Sequence, residues 1–216
     1  DRRIFIGWMN NWAYADRIPT SQWRGSMTLP RTLTLRTVYG KPRLISEPVR
    51  ETVALREEMF VMENKQLSEN SLNKEFMSGD LREVLLTMDI ATGDASDIII
   101  RLSNQEDQEL EIGFQMQEEN LYLDRREAGI DTFHEAFPRV HTAPFAEWPD
   151  SLNLEIYLDR SSIELFVNDG ERVMTDRIFN SKAFSRLEIY TTSGAAHLRR
   201  LRLFDINSVW TKQQMN

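Results

Sequence analysis

The chain has no cysteine, which removes disulfides and thiolate metal sites at once. Histidine is almost as scarce. The three copies, His134, His141 and His197, stand apart rather than at metal-ligand spacing, so neither a metal nor another cofactor is expected. No apolar run approaches the ~20 residues that a helical membrane span requires, and no membrane partner is expected. The first residues, Asp1-Arg2-Arg3, show no leader-like stretch, which leaves the compartment open. Basic charge is also short: 26 Lys and Arg stand against 34 Asp and Glu, a net charge of −8. Nucleic-acid affinity rests on clustered Lys and Arg that neutralise phosphates, so a nucleic-acid partner is not expected either. The one dense basic stretch, Arg199-Arg200 with Arg202, alternates with Leu198, Leu201 and Leu203 and reads as the solvated face of a strand.

What the chain does contain is short strands. Leu152, Leu154, Ile156 and Leu158 alternate with Asn153, Glu155 and Tyr157, and Ile163, Leu165 and Val167 alternate with Glu164 and Phe166. Between that second run and Arg172 lies Asn168-Asp169-Gly170-Glu171, whose Asp-Gly pair suits the positive φ angles of a tight hairpin turn. Similar runs span 83–90, 97–102, 110–116, 120–124, 173–179, 186–191 and 198–204, each bounded by Gly, Asn, Asp or Ser. Many short strands with local turns and no long amphipathic helix predict an all-β chain built on an antiparallel β-sandwich. Residues 59–71 fit a strand and a frayed helix equally well.

The first forty residues have a different character, rich in tryptophan and proline. Strands are expected at 3–9, 26–29 and 32–38, with Pro30 breaking the last two at a bulge or edge. Tyr39-Gly40-Lys41-Pro42 reads as a turn and Ile45-Ser46-Glu47-Pro48 as an extended crossing segment. The expected division is therefore 1–38, a linker at 39–48, and the sandwich at 49–216.

Three segments carry a resemblance: Ile6-Gly7-Trp8-Met9-Asn10-Asn11-Trp12; Pro19-Thr20-Ser21-Gln22-Trp23-Arg24-Gly25-Ser26-Met27-Thr28-Leu29-Pro30-Arg31; and Leu158-Asp159-Arg160-Ser161-Ser162-Ile163-Glu164-Leu165-Phe166-Val167-Asn168-Asp169-Gly170-Glu171. In order and separation the chain resembles the C-terminal part of glycoside hydrolase family 32, the invertases, inulinases and levanases. The resemblance implies a five-bladed β-propeller that carries the active site, followed by a β-sandwich. Residues 1–38 would then be part of the last blade, and the chain the back part of a larger enzyme, in a secreted or periplasmic setting sooner than a cytoplasmic one. Asn180 departs from the pattern, since bacterial relatives often have proline after a stretch like Arg177-Ile178-Phe179.

Family members hydrolyse β-fructosidic bonds with retention, which needs two carboxyl groups roughly 5 Å apart. The family supplies these from a Trp-Met-Asn-Asp-Pro-like motif and from a glutamate followed by cysteine, with a further aspartate in Arg-Asp-Pro. None of these motifs occurs here. Asp124-Arg125, Asp159-Arg160 and Asp176-Arg177 lack the proline, so no catalytic residue is assigned and the isolated chain is expected to be inactive. The implied partners are a fructose-containing saccharide (sucrose, levan or inulin) and the propeller part that is missing here.

The resemblance also gives Trp12 a place in the wall of the fructose pocket, consistent with the packing of a sugar's C–H face on an aromatic plane. For Trp8 the alternative, a plug inside a blade, is the stronger reading. Asn10 and Asn11 could bond substrate or cap the strand-to-loop turn. Trp23 and Arg24 are expected to stack and brace the loop from behind. Glu164 and Asp159 read as structural carboxylates. Tyr122, Tyr157, Phe166 and Tyr190 read either as a lectin-like sugar face or as ordinary sheet packing, the latter being the commoner fate. Exposed edges and apolar patches seek cover. Residues 1–38 are thus expected to pair with a second copy, as a homo-oligomer, or to fold back on the sandwich in an arrangement foreign to the family. The rival functional readings are a non-catalytic fructan-binding module and a structural or assembly domain.

Overall fold

A computed structural model describes residues 1–69, 72–75, 81–145 and 148–209, with 72–75 described for the backbone alone. The described residues form three antiparallel sheets. The smallest holds β1 (Arg3–Phe5), β2 (Arg31–Val38) and β3 (Lys41–Pro48) in that order. A 3-10 turn, η1 (Arg50–Leu55), leads into the sandwich strands β4 (Arg56–Leu67), β5 (Leu72–Glu75), β6 (Val84–Ala91), β7 (Asp97–Ser103) and β8 (Glu109–Gln115). They are followed by β9 (Asn120–Asp124), β10 (Val140–Pro144), β11 (Ser151–Asp159), β12 (Ser162–Val167), β13 (Arg172–Arg177), β14 (Arg186–Thr191) and β15 (Ala196–Ile206). One six-stranded sheet runs β13-β12-β11-β6-β15-β4 and the other β10-β9-β8-β7-β14-β5. Among the described residues no helix is long and apolar enough to cross a membrane.

The period-2 alternation builds the core. Leu86, Ile90, Ile100, Ile112, Leu123, Leu152, Ile156 and Leu165 all point inward and are fully buried between the two large sheets. The strands expected at 120–124 and 186–191 appear with those bounds, and most others shift by one or two residues. The hairpin is present too. β12 and β13 pair from Ser162↔Arg177 to Val167↔Arg172, and the turn between them sets Asn168, Asp169 and Gly170 at φ of 49°, 54° and 77°.

Three expectations are corrected. Residues 41–48 are not a linker: β3 pairs with β2 along its whole length, from Arg31↔Pro48 to Val38↔Lys41, with Tyr39 and Gly40 as the turn. Its prolines are tolerated because β3 is an edge strand, with β2 as its one ladder partner among the described residues. The strand expected at 3–9 ends at Phe5, and 26–29 contributes only a bridge, Trp8↔Met27. The ambiguous run is a strand through Leu67, mostly exposed, which is why it lacks a clear apolar face; residues 70 and 71 lie outside the described residues.

The N-terminal segment docks on the outer face of the β13-β12-β11-β6-β15-β4 sheet. There Leu85, Tyr157, Phe166 and Phe204 form a second apolar cluster, covered in part by Leu29. Beside it, the buried Glu164 accepts hydrogen bonds from Leu29 N–H at 2.7 Å and Arg31 Nη2 at 2.5 Å. Arg31 also donates to Thr175 Oγ1 at 2.6 Å and lies 5.0 Å from the Phe166 ring centroid. Burial pushes the Glu164 carboxyl up while Arg31 and the Leu29 N–H pull it down. At the hairpin tip Ser46 N–H donates to Gly170 O at 3.1 Å, and a Cβ on Gly170 would stand 2.1 Å from Ser46 O. Tyr157 and Phe166 are thus buried under this segment, which takes them out of any exposed sugar face.

Candidate functional site

The loop from Trp8 to Gly25 carries every candidate pocket residue. Gly7 N–H donates to Thr28 Oγ1 at 2.9 Å and Met9 N–H to Ser26 O at 2.8 Å, so the two ends of the loop are tied together. Trp12 stands at 88% exposure, and its ring centroid lies 5.0 Å from that of Trp8 at an interplanar angle of 55°. Trp8 is itself 42% exposed. Its indole lies over Gly25, where φ is 80° and a Cβ would come within 2.9 Å of Nε1. The two indoles thus form a paired aromatic surface that a sugar ring can pack against.

The amides divide as their short side chains dictate. Asn11 Oδ1 accepts from Ala13 N–H at 2.9 Å, which is turn capping. Asn10 Oδ1 accepts from Asn11 N–H at 3.0 Å, while its Nδ2 is buried with no partner among the described residues. Arg24 braces the loop through carbonyls, donating from Nη1 to Asp16 O at 2.5 Å and to Ile18 O at 3.3 Å. The expected stacking of Arg24 on Trp23 is absent among the described residues. Trp23 is 46% exposed, and its carbonyl accepts from Thr20 Oγ1. A hollow of about 420 Å³ beside the loop is lined by Trp8, Asn10, Ala15, Asp16, Arg24 and Gly25.

Sequence reasoning missed Tyr14 and Ile18, which anchor the loop. Both are buried in an aromatic box with Phe133, Phe137 and Phe179 from the sandwich, the Tyr14 and Phe137 rings meeting edge-on at 5.4 Å. Arg125 Nη2 donates to Tyr14 Oη at 3.2 Å. The same buried guanidinium lies 4.1 Å from the Phe137 ring centroid and bonds Asp176 Oδ1 at 3.2 Å, and Asp176 in turn holds His141 Nδ1 at 2.9 Å. The Asn-Trp-x-Tyr spacing places an exposed Trp12 and a buried Tyr14 two residues apart, a contrast that strand periodicity could not show because the segment is a turn.

The charged groups of the three acid-base dipeptides have close partners, and Asp159 Oδ1 accepts from Arg160 N–H at 2.7 Å. Asp176 is spent on Arg125 and His141, Asp124 is held by Arg126 at 2.6 Å, and Arg160 pairs with Glu83 at 2.6 Å. Among the described residues no group of three or more His, Cys, Asp or Glu is placed to hold a metal ion.

Residues 51–205 match the family described as glycosyl hydrolases family 32 C terminal, and residues 1–48 match the family's N-terminal domain. The chain belongs to glycoside hydrolase family 32. It is 34% identical over 211 residues to a levanase of Bacillus subtilis (strain 168), covering 97% of this chain and 31% of that protein. The solved exo-inulinase of Aspergillus awamori superimposes with a TM-score of 0.83 at 29% identity, over 96% of this chain and 41% of that one. A β-fructofuranosidase of Schwanniomyces occidentalis, solved with fructosyl-erythritol, shares the fold at 22% identity and a TM-score of 0.78, over 95% of this chain and 45% of that one. The chain thus spans about a third to a half of the length of these relatives. The superposition takes in the N-terminal sheet together with the sandwich, so the family 32 arrangement is kept rather than replaced by a foreign one.

Proposed function

We propose that this chain is the C-terminal part of a retaining β-fructosidase, a sucrose or fructan hydrolase. In this reading β1–β3 and the Trp8–Gly25 loop belong to the last propeller blade, and the sandwich supports the propeller. Trp12, with Trp8, Asn10 and Asn11, lines the wall of the fructose pocket, and Trp23 and Arg24 back it. The observation that carries the reading is the exposed Trp8–Trp12 pair on a loop clamped at Tyr14 to the sandwich. An aromatic surface held in place by buried anchors positions a sugar without spending binding energy on ordering the loop. The relatives named as levanase and exo-inulinase support a β-fructosidic substrate.

The chain by itself holds no carboxylate pair in the family's catalytic motifs, so it is expected not to hydrolyse sucrose, inulin or levan. The test is a reducing-sugar assay on the chain purified from a host lacking invertase. Turnover that vanishes when a carboxylate within residues 1–216 is replaced would overturn the reading.

A further inference from the structure

We propose that the outer face of the β10-β9-β8-β7-β14-β5 sheet is a second binding face, for a neutral oligosaccharide. The register aligns Thr142, Tyr122, Gly113, Ile99 and Tyr190 in one row across five strands. Leu121 and Leu123 are fully buried on either side of Tyr122, so strand alternation turns Tyr122 outward. A Cβ on Gly113 would stand 2.0 Å from a Tyr122 ring carbon. The tyrosine therefore lies flat across the sheet, and only glycine beneath it permits this. A glycine inside a strand weakens the strand and marks a place where something approaches the backbone closely.

The ring is fixed from one side. Tyr122 Oη donates to Glu111 at 2.6 Å, Arg101 donates to Glu111 at 2.8 Å and to Tyr190 Oη at 2.8 Å, and the guanidinium lies 5.5 Å from the Tyr190 ring. On its other side lie Asn120 and Gln115, paired across β9 and β8, with Thr142 beside Tyr122 on β10. Those three side chains make no hydrogen bond among the described residues. A flat aromatic ring edged by two uncommitted carboxamides and a hydroxyl suits a sugar, whose C–H face packs on the ring while its hydroxyls take the amides. The neighbouring row, Asp124, Glu111, Arg101 and Glu188, is acidic on balance and selects against phosphate or another anion. Tyr122 and Tyr190 sit three strands apart, about 14 Å at the usual strand spacing, which fits a chain of sugars better than a single one. Among the described residues the opposite sheet offers no such face: Arg199, Arg200 and Arg202 are paired with Asp89, Glu63 and Glu58, and Tyr157 and Phe166 are covered.

That the oligosaccharide is a β-fructan rests on the proposed function. The experiment is affinity electrophoresis of the chain through gels containing inulin or levan, with cello-oligosaccharides as competitors. The native chain is expected to be retarded, and Asn120→Ala/Gln115→Ala, two surface changes that leave the core intact, to weaken retardation by about tenfold. Tyr122→Ala should match it, and Trp12→Ala should remain retarded. The proposal is overturned if the native chain migrates freely or if the Asn120/Gln115 variant binds as the native chain does; competition by cello-oligosaccharides would support the face and reject its assignment to β-fructan. Loss of retardation in Trp12→Ala alone would reject this face while leaving the pocket loop's role standing.

Discussion

The two ends of the molecule treat apolar side chains in opposite ways. In the sandwich, Ile100, Ile112, Phe114 and Ile156 are fully buried, whereas Ile4, Phe5 and Ile6 in and beside β1 are 44–49% exposed. The sandwich closes its own core. The N-terminal sheet leaves one of its apolar faces open and holds to the rest through a few contacts at Leu29, Arg31, Ser46 and Tyr14. One region is stable by area; the other is placed by specific contacts.

This comparison is sharpened most strongly by Phe114→Ala, expected to cost about 4 kcal/mol by denaturant unfolding, against Phe5→Ser, expected to stay within about 0.5 kcal/mol. Equal losses at the two positions would erase the distinction. Next comes Glu164→Gln, which leaves the buried Arg31 without its carboxylate and should cost about 3 kcal/mol. Restored stability in Glu164→Gln/Arg31→Met would show that the penalty belongs to the orphaned charge. Gly170→Val forces a β-branched residue to positive φ and drives its Cβ into Ser46 O, so about 2 kcal/mol or more should be lost. Faster hydrogen exchange in β3 should accompany that loss, and an unchanged β3 would mean that the tip contact holds nothing. Trp12→Ala should leave the melting temperature unmoved. In a longer enzyme containing this chain it should cut kcat/KM by about one to three orders of magnitude, as expected for a positioning contact.

The smallest effect is expected at the exposed Arg2–Glu51 pair. The Arg2 hydrogen bond holds the Glu51 carboxyl down to about 2. A depressed carboxylate contributes stability above its unfolded value, near 4.5, and loses it as pH falls towards 2. Because the pair is open to solvent and screened by salt, Glu51→Gln should be indistinguishable from the native chain in thermal melts at neutral pH.

The sandwich was legible because its strands obey a two-residue period between turn-forming residues, as in 152–158 and 163–167. β3 was hidden by Lys41, Pro42, Arg43 and Pro48, which read as linker and are accommodated only because the strand sits at an edge. The pocket loop was recognised by its motif, yet strand patterns could not show that Trp8 would be open to solvent or that Tyr14 would be enclosed. The enclosure of Tyr14 depends on Phe133, Phe137 and Phe179, more than a hundred residues away in sequence. Glu164 stood out as a motif residue, but its partner could not be read, because Arg31 reaches it from another sheet.

The contacts of Leu29, Arg31 and Tyr14 have a consequence for how such enzymes recombine. The family's two parts meet between residues 48 and 51, but the buried contacts cross that seam. A sandwich expressed from residue 49 would present Tyr157, Phe166, Phe137 and Phe179 to water and leave Glu164 unanswered. A chimera that joins this sandwich to another member's propeller will therefore fold well only if the graft brings along the leucine, arginine and tyrosine that fit these sockets, which makes three residues upstream of the seam part of the sandwich's own inheritance.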